Sequence, residues 1–135
     1  MKMRLHTIAL LLPALMLGSC GGMKTTEPSM KEQDPHSYAV PVEAKVKHLN
    51  WAATVDFNSK TIDAEAAWEI ENTGNADSIR FDTKDLEIKS ITIDDGPSTE
   101  YRLAKTDPIL GQALVVAIKP ETKVIRIQYR TSPEA

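Results

Sequence analysis

The chain has 135 residues, of which 41% are hydrophobic and 26% are charged, and its formal net charge is −3. This length holds one globular domain, and the lack of a basic excess argues against nucleic acid as a partner. The sequence contains one cysteine, which excludes an internal disulfide.

The first 19 residues have the layout of a secretory signal. Lys2 and Arg4 precede an apolar run over residues 8–17, which is about half the length that a membrane-spanning helix needs. The following Leu17-Gly18-Ser19-Cys20 resembles a bacterial lipobox, in which the cysteine carries thioether-linked lipid. We therefore expect a lipoprotein signal peptide over residues 1–19 and lipidation at Cys20. The alternative is an ordinary secretory signal that ends near a free cysteine.

Residues 20–40 are polar, with Pro28 and Pro35, and predict a flexible, disordered tether. Without residues 1–19, 14 basic side chains remain against 19 acidic ones, a net charge of −5. No polybasic patch is present, so the lipid alone would hold the protein at a bacterial membrane. Gly21 occupies the position where some bacteria place an aspartate to retain lipoproteins at the inner membrane. This favours the outer membrane or the periplasmic face.

From residue 44 onward, apolar side chains recur at every second position. The first such segment has one apolar face, made by Leu49, Trp51, Ala53, Val55 and Phe57. A second segment repeats the pattern over residues 62–70, after the turn Asn58-Ser59-Lys60. Alanine and glutamate in this second segment also suit a helix, but strict alternation favours a strand.

Shorter strand candidates follow at regular intervals and are separated by turn residues. Their ranges are 78–82, 86–93, 100–103, 113–118 and 124–130. Seven short strands without a helix predict an all-β, antiparallel-rich domain over residues 41–135, with a saddle-like or sandwich-like sheet. We expect the core of this domain to contain Trp51, Val55, Phe57, Trp68, Ile70 and Phe81. We also expect one apolar face of the sheet to require a cover.

Four aspartates, Asp82, Asp85, Asp94 and Asp95, flank the strand candidate at 86–93 and raise the question of a cation site. Asp94-Asp95-Gly96-Pro97 fits a turn, in which aspartates accept backbone hydrogen bonds and glycine supplies a positive φ. The regular ligand spacing and closing glutamate of a helix-loop-helix calcium site are absent. Scaffolding is therefore the favoured interpretation, and no metal ligand is predicted.

Phe81-Asp-Thr-Lys-Asp-Leu-Glu-Ile88 resembles the corresponding segment in the N-terminal domain of the aminopeptidase N family of zinc metallopeptidases, in its leukotriene A-four hydrolase-like branch. Further matches occur in the same order at Asp34-Pro-His-Ser-Tyr38, His48-Leu49, Val55-Asp-Phe57, Tyr129 and Thr131-Ser-Pro133. The resemblance covers residue 34 to the end of the chain. The sequence departs from the family at Ala64, where relatives often have glycine after the first hairpin.

The resemblance implies a saddle-like β domain that packs against a catalytic domain. The family's zinc-binding H-E-x-x-H and the G-x-M-E-N that grips a substrate's amino terminus are both missing here. No catalytic residue is therefore predicted. The chain alone is expected to be inactive, and zinc, peptide substrate and the catalytic domain belong to a longer parent that this chain truncates.

Other chemistry has little support in the sequence. His36 falls in the tether and His48 on the polar face of the first strand, so a zinc enzyme within this chain lacks ligands. No serine lies in a G-x-S-x-G elbow. The alternative function is a self-sufficient surface lipoprotein whose β-sandwich binds a partner or glycan, since signal, tether and strand-rich unit are all present.

Overall fold

A computed structural model describes residues 34–134 of the chain. The described part is all-β, as predicted, and contains seven strands. They are β1 (Lys45–Asp56), β2 (Thr61–Glu71), β3 (Ser78–Thr83), β4 (Leu86–Ile93), β5 (Tyr101–Leu103), β6 (Gln112–Ala117) and β7 (Val124–Thr131). Each lies within a residue or two of its predicted range, apart from an earlier start of β1. Alternation and turn residues were therefore sufficient to locate the strands.

The strands form two antiparallel sheets. The four-stranded sheet has the order β1-β2-β7-β4, and the three-stranded sheet has the order β3-β6-β5. The long β1–β2 hairpin pairs Ala53 with Ala64 and Val55 with Ile62. At its turn, the Asp56 carboxylate accepts the Asn58 backbone N–H at 2.8 Å, and Lys60 adopts a φ of 56°. The turn joins β1 to β2, and the strand order leaves β1 at the edge of its sheet within the described residues.

The core lies between the two sheets. The four-stranded sheet contributes Ile70, Ile91, Ile125 and Ile127, and the three-stranded sheet contributes Ile79, Leu114 and Val116. Val116 and Ile125 are completely buried. Because alternate side chains of a strand point to the same face, β6 and β7 each supply this core with two residues that are two positions apart. The described domain is therefore a small β-sandwich.

The predicted core residues divide into two groups. Ile70 lies in the core, and Trp68 and Phe81 pack against it with their ring centroids 5.5 Å apart. By contrast, the side chains of Trp51, Val55 and Phe57 are exposed to 53%, 49% and 87%.

Their assignment to the core was wrong. Val55 and Trp51 lie on the edge strand β1, where the smaller three-stranded sheet provides no cover, and Phe57 lies in the hairpin turn. Alternation identifies the apolar face of a strand but does not show whether another layer covers it.

The predicted signal peptide, Cys20 and the tether as far as residue 33 lie outside the described residues. The last tether positions, 34–40, are described and contact the domain. The Asp82 carboxylate accepts the Ser37 hydroxyl at 2.7 Å and the Tyr38 backbone N–H at 2.8 Å. The segment before β1 is therefore fastened to the end of β3.

Candidate docking face

The inner face of β1, which is the face that its sheet turns toward the core, is open over most of its length. Val46, Leu49, Trp51 and Val55 of β1 pair with Ile70, Trp68, Ala66 and Ile62 of β2, so all eight side chains lie on this face. Of the β2 residues, Ala66 and Ile70 are buried and Trp68 packs against the core, whereas the four β1 side chains are 38–53% exposed. We call the inner face of β1, with the groove beside it, the docking face.

The groove beside β1 has a volume of about 580 Å³ and is open on one side. Its lining is largely apolar and comes from both sheets. It includes Leu49, Trp51, Trp68, Phe81, Leu86, Ile88, Leu114 and Tyr129. A concave apolar surface of this kind is typical of sites that receive another molecule or another domain.

A side-chain hydrogen bond fixes the shape of the docking face. The Trp51 indole Nε1–H donates to the Tyr129 hydroxyl oxygen at 2.9 Å. This bond connects the edge strand β1 to β7 across β2, because β2 lies between the two strands. The indole ring is thereby held over the groove with its one polar group satisfied. The docking face therefore presents a preformed apolar surface.

Polar groups lie at the rim of the groove. The Arg80 guanidinium is 3.4 Å from the Glu43 carboxylate, and both side chains are partly exposed. Asp82 also borders the groove, and its carboxylate accepts hydrogen bonds from the Ser37 hydroxyl and the Tyr38 backbone N–H. An apolar centre with a satisfied polar rim is the usual arrangement of a protein interface.

The four aspartates singled out in the sequence do not converge on one site. Asp82 holds the segment before β1, and Asp85 has a φ of 52° in the turn between β3 and β4. Asp94 accepts the backbone N–H groups of Lys123 and Val124, at 2.8 and 2.9 Å. Asp95 is bonded to Arg126. Within residues 34–134 no group of three or more potential metal ligands is found.

The turn after β4 differs from the prediction in one respect. Asp94 and Asp95 adopt the left-handed conformation, with φ of 51° and 55°, whereas Gly96 has no positive φ. Aspartate tolerates this region because its short side chain bonds to nearby backbone. The Asp94 side chain makes such bonds to the start of β7. The aspartates therefore shape the turn and join it to the neighbouring strand.

The outer face of the four-stranded sheet carries exposed ion pairs. Asp63 contacts Lys89 and Arg130, and Arg126 contacts Asp95. The hydrogen bond from Lys89 and the charge of Arg130 lower the pKa of Asp63, and the Arg126 guanidinium lowers the pKa of Asp95. Exposed pairs of this kind contribute little to stability individually. The outer face is therefore a solvated surface, in contrast to the docking face.

The stability of the domain is expected to decline in acid. Five carboxylates, each exposed or partly exposed, have a lowered pKa in the folded state because they accept hydrogen bonds; they are Asp56, Asp63, Glu71, Asp95 and Asp107. A lowered folded-state pKa stabilises the protein above the unfolded-state value, which is about 4 for these groups, and this contribution is lost as pH falls below it. These groups should change the urea midpoint of unfolding little between pH 7 and pH 5. At pH values under about 4.5 the midpoint should decrease.

The variant Asp107→Asn is the matched control for this effect. Asp107 accepts the backbone N–H groups of Ile109 and Leu110, and an asparagine oxygen can still accept them without titrating. The acid-dependent loss of stability should therefore be smaller in the variant. Identical pH profiles for the two proteins would contradict a contribution from Asp107.

Sequence reasoning missed the contacts that organise this region. Asp34-Pro-His-Ser-Tyr38 and Phe81–Ile88 carried the family resemblance as separate stretches, and the Asp82 hydrogen bonds now join them. The Trp51–Tyr129 bond joins residues 78 positions apart. No local pattern reports such pairs, although Tyr129 was among the positions that matched the family. His48 lies on the exposed outer side of β1, and His36 donates its backbone N–H to the Asp34 carboxylate.

Comparison with known proteins identifies relatives of the described domain. Leucine aminopeptidase 2 of Candida albicans is 32% identical over 97 residues, which cover 72% of this chain and 15% of the relative. Leukotriene A-4 hydrolase of Xenopus laevis is 28% identical over 108 residues, or 76% of this chain and 18% of the relative. The chain thus spans less than a fifth of the length of these relatives. No protein-family model matches the chain.

Solved structures show the same fold. Yeast LTA4 hydrolase in complex with bestatin superimposes with a TM-score of 0.68 and 24% identity, over 78% of this chain and 17% of that structure. An M1 zinc metallopeptidase from Deinococcus radiodurans gives a TM-score of 0.51 and 14% identity, over 67% of this chain and 21% of that structure. The described residues contain no helix that is long and apolar enough to cross a membrane.

Proposed function

Since the β domain is homologous to the N-terminal region of leucine aminopeptidase 2 and leukotriene A-4 hydrolase, we propose that it is the non-catalytic N-terminal part of a lipid-anchored zinc aminopeptidase. The parent protein would remove N-terminal residues from peptides, with zinc and the catalytic groups supplied by a downstream domain. The docking face would pack against that catalytic domain. The observation that carries the proposal is an open apolar face on a domain homologous to one end of these larger enzymes.

The exposure of the docking face supports this assignment. About half of the surface of Trp51 is exposed to solvent. Burial of this residue and its apolar neighbours on β1 would lower the free energy of the protein. A large apolar patch on a monomeric protein usually marks an interaction site. An adjacent domain of the same polypeptide would cover this surface without the entropy cost of bringing two molecules together. The domain's role would then be structural, as a wall and support for the catalytic site.

The lipid anchor is the second part of the proposal and depends on the sequence alone. Lipid on Cys20 would hold the parent at a bacterial membrane, on the periplasmic face or at the outer membrane. Replacement of Cys20 by serine should release the protein from the membrane fraction and abolish incorporation of labelled palmitate. A Cys20→Ser protein that stays in the membrane fraction would contradict lipid anchoring and leave the domain assignment intact.

The reading frame beyond codon 135 tests the enzyme assignment directly. We expect it to continue into H-E-x-x-H and G-x-M-E-N motifs, and the full-length product should hydrolyse an aminoacyl-nitroanilide in a zinc-dependent manner. The 135-residue chain by itself should show no such activity. A stop codon at this position in intact genomic sequence, together with a protein of this size in cells, would refute the proposal.

If the docking face packs on a catalytic domain, a lysine on this face should destabilise the parent more than a lysine at the neighbouring position. In the full-length parent, Leu49→Lys would place an ammonium group in the interface and should lower the free energy of unfolding by about 1–3 kcal/mol. Asn50→Lys, on the outer face of the same strand, is the control and should have an effect within about 0.5 kcal/mol. Chemical denaturation of the two variants measures the difference. Equal, small effects would show that the face stays open in the parent.

A further inference from the structure

Within residues 34–134, the outer edge of β1 has no neighbouring strand. β1 is outermost in its sheet there and pairs with β2 alone. It is 12 residues long, and every residue after Lys45 is exposed. Charged residues and prolines usually prevent edge strands from pairing with other chains. The segment Leu49–Val55 contains neither. The register shift between Val46 and His48 disrupts only the beginning of the strand.

The register shows which backbone groups of β1 lie along this edge. The N–H groups of Ile62 and Ile70 point from β2 toward the β7 side, where they donate to the Thr131 hydroxyl and the Lys123 carbonyl oxygen. Because backbone direction alternates along a strand, the odd-numbered residues of β2 point toward β1. Their partners on β1 are even-numbered, as in Ala52 with Glu65. The odd-numbered residues from Leu49 to Val55 therefore direct their N–H and C=O groups outward.

We propose that this edge pairs with the same edge of a second copy of the chain, antiparallel, about a two-fold axis at Ala52. Leu49 would then face the partner's Val55, and Trp51 would face the partner's Ala53. These pairs would exchange both of their backbone hydrogen bonds. On the outer face, Asn50 would face the partner's Thr54, and His48 would face the partner's Asp56.

Side-chain complementarity selects this register. On the inner face, Leu49 meets the partner's Val55, and Trp51, whose indole is turned toward Tyr129, lies opposite the small side chain of the partner's Ala53. At both ends a basic group meets a carboxylate. A shift by one residue would set apolar side chains against polar ones on opposite faces. A shift by two in either direction would separate His48 from the partner's Asp56, and in one direction it would also place Trp51 against the partner's Trp51. The contact is self-complementary, as a two-fold interface requires.

The dimer would join the two four-stranded sheets into one continuous sheet. It uses the backbone edge of β1, whereas the proposed enzyme assignment uses the inner face of the sheet, so neither depends on the other. The Trp51–Tyr129 hydrogen bond supports the pairing, since it holds the indole over the groove and away from the edge. The inner faces of the two β1 strands would lie side by side across the axis.

Cysteine cross-linking of the full chain tests both the dimer and its register, in a Cys20→Ser background so that each introduced thiol is the only one. Ala52→Cys should form a covalent dimer on mild oxidation, because the residue lies on the axis at a closely spaced, non-hydrogen-bonded position. Asn50→Cys and Thr54→Cys should each cross-link poorly alone. A mixture of these two variants should give the disulfide-linked dimer. A dimer linked equally well by Asn50→Cys alone would overturn the register.

A proline variant tests the role of the edge. Ala53→Pro removes an outward N–H without removing a β1–β2 hydrogen bond, so the fold should be retained while dimerisation weakens about tenfold or more. Sedimentation of the full chain over a range of concentrations measures this change, and circular dichroism checks the fold. If Ala53→Pro does not fold, the cross-linking pattern decides. Two results together would overturn the proposal. The unsubstituted chain would stay monomeric at about 100 μM, and Ala52→Cys would give no cross-link.

Discussion

Replacement of Ile125 by alanine is expected to lower the free energy of unfolding of the domain by about 2–5 kcal/mol. Ile125 is completely buried on β7, between the two sheets. The substitution removes the transfer free energy of three carbon atoms and leaves a cavity that the surrounding strands can fill only in part. Since small domains have about 5–15 kcal/mol of stability in total, this single change would remove a large part of it.

The matched control for Ile125 is Ile109, which is 82% exposed in the loop between β5 and β6. The same chemical change there, Ile109→Ala, should alter the free energy of unfolding by no more than about 0.5 kcal/mol. Urea unfolding of both variants, followed by tryptophan fluorescence, gives the comparison. Similar losses for the two variants would mean that the core is not located between the sheets as described.

Replacement of Gly111 by alanine should have the second large effect, a loss of about 2–4 kcal/mol. Gly111 has a φ of 77°, a conformation that costs energy for residues with a side chain. An added Cβ would also overlap the Thr83 carbonyl oxygen at the end of β3. Backbone bonds in both directions between Gly111 and Asp107 hold the loop in this position. The alanine variant would therefore have to shift either the loop or β3.

Gly96 provides the control for this glycine. Its φ is not in the left-handed region, and an added Cβ would approach the Ile93 carbonyl oxygen at 3.0 Å, which requires only a small adjustment. Gly96→Ala should accordingly cost less than half as much as Gly111→Ala in the same unfolding experiment. An equal cost at the two positions would show that the strained φ and the contact with Thr83 are not decisive.

The amino-acid sequence predicted the strands well because their signals are local. In β2, alternation decided against the helix that alanine and glutamate would otherwise favour, and the structure contains β2 over Thr61–Glu71. The order of strands within the sheets could not be predicted in the same way. Pairing of β2 with β7 joins residues about sixty positions apart, and nothing local specifies it.

The location of the core was harder to predict for the same reason. Trp51 and Phe57 looked like core residues because aromatic rings contribute much burial, yet β1 lies outside the cover of the second sheet. Four consecutive residues of β6, Ala113–Val116, are buried, so this run of apolar residues has both faces shielded. A continuous apolar run was thus a better indicator of depth than aromatic content.

The expectation of an apolar face in need of a cover was closer to the structure than the list of core residues. The exposed side chains of Leu49 and Trp51 form such a face, and Tyr129 extends it into a groove. Alternation predicted which residues share the face. The Trp51–Tyr129 hydrogen bond, which gives the face its shape, depends on β7 reaching across from the far end of the chain.

The attachment of Ser37 and Tyr38 to Asp82 has a mechanical consequence. If lipid on Cys20 anchors the chain as proposed, the stretch to residue 34 can extend over at most about 50 Å. A force applied along this segment would act on the end of β3 before it acted on β1. The two Asp82 hydrogen bonds would bear this force, so that thermal motion of the anchored end would not separate the β1–β2 hairpin from its sheet.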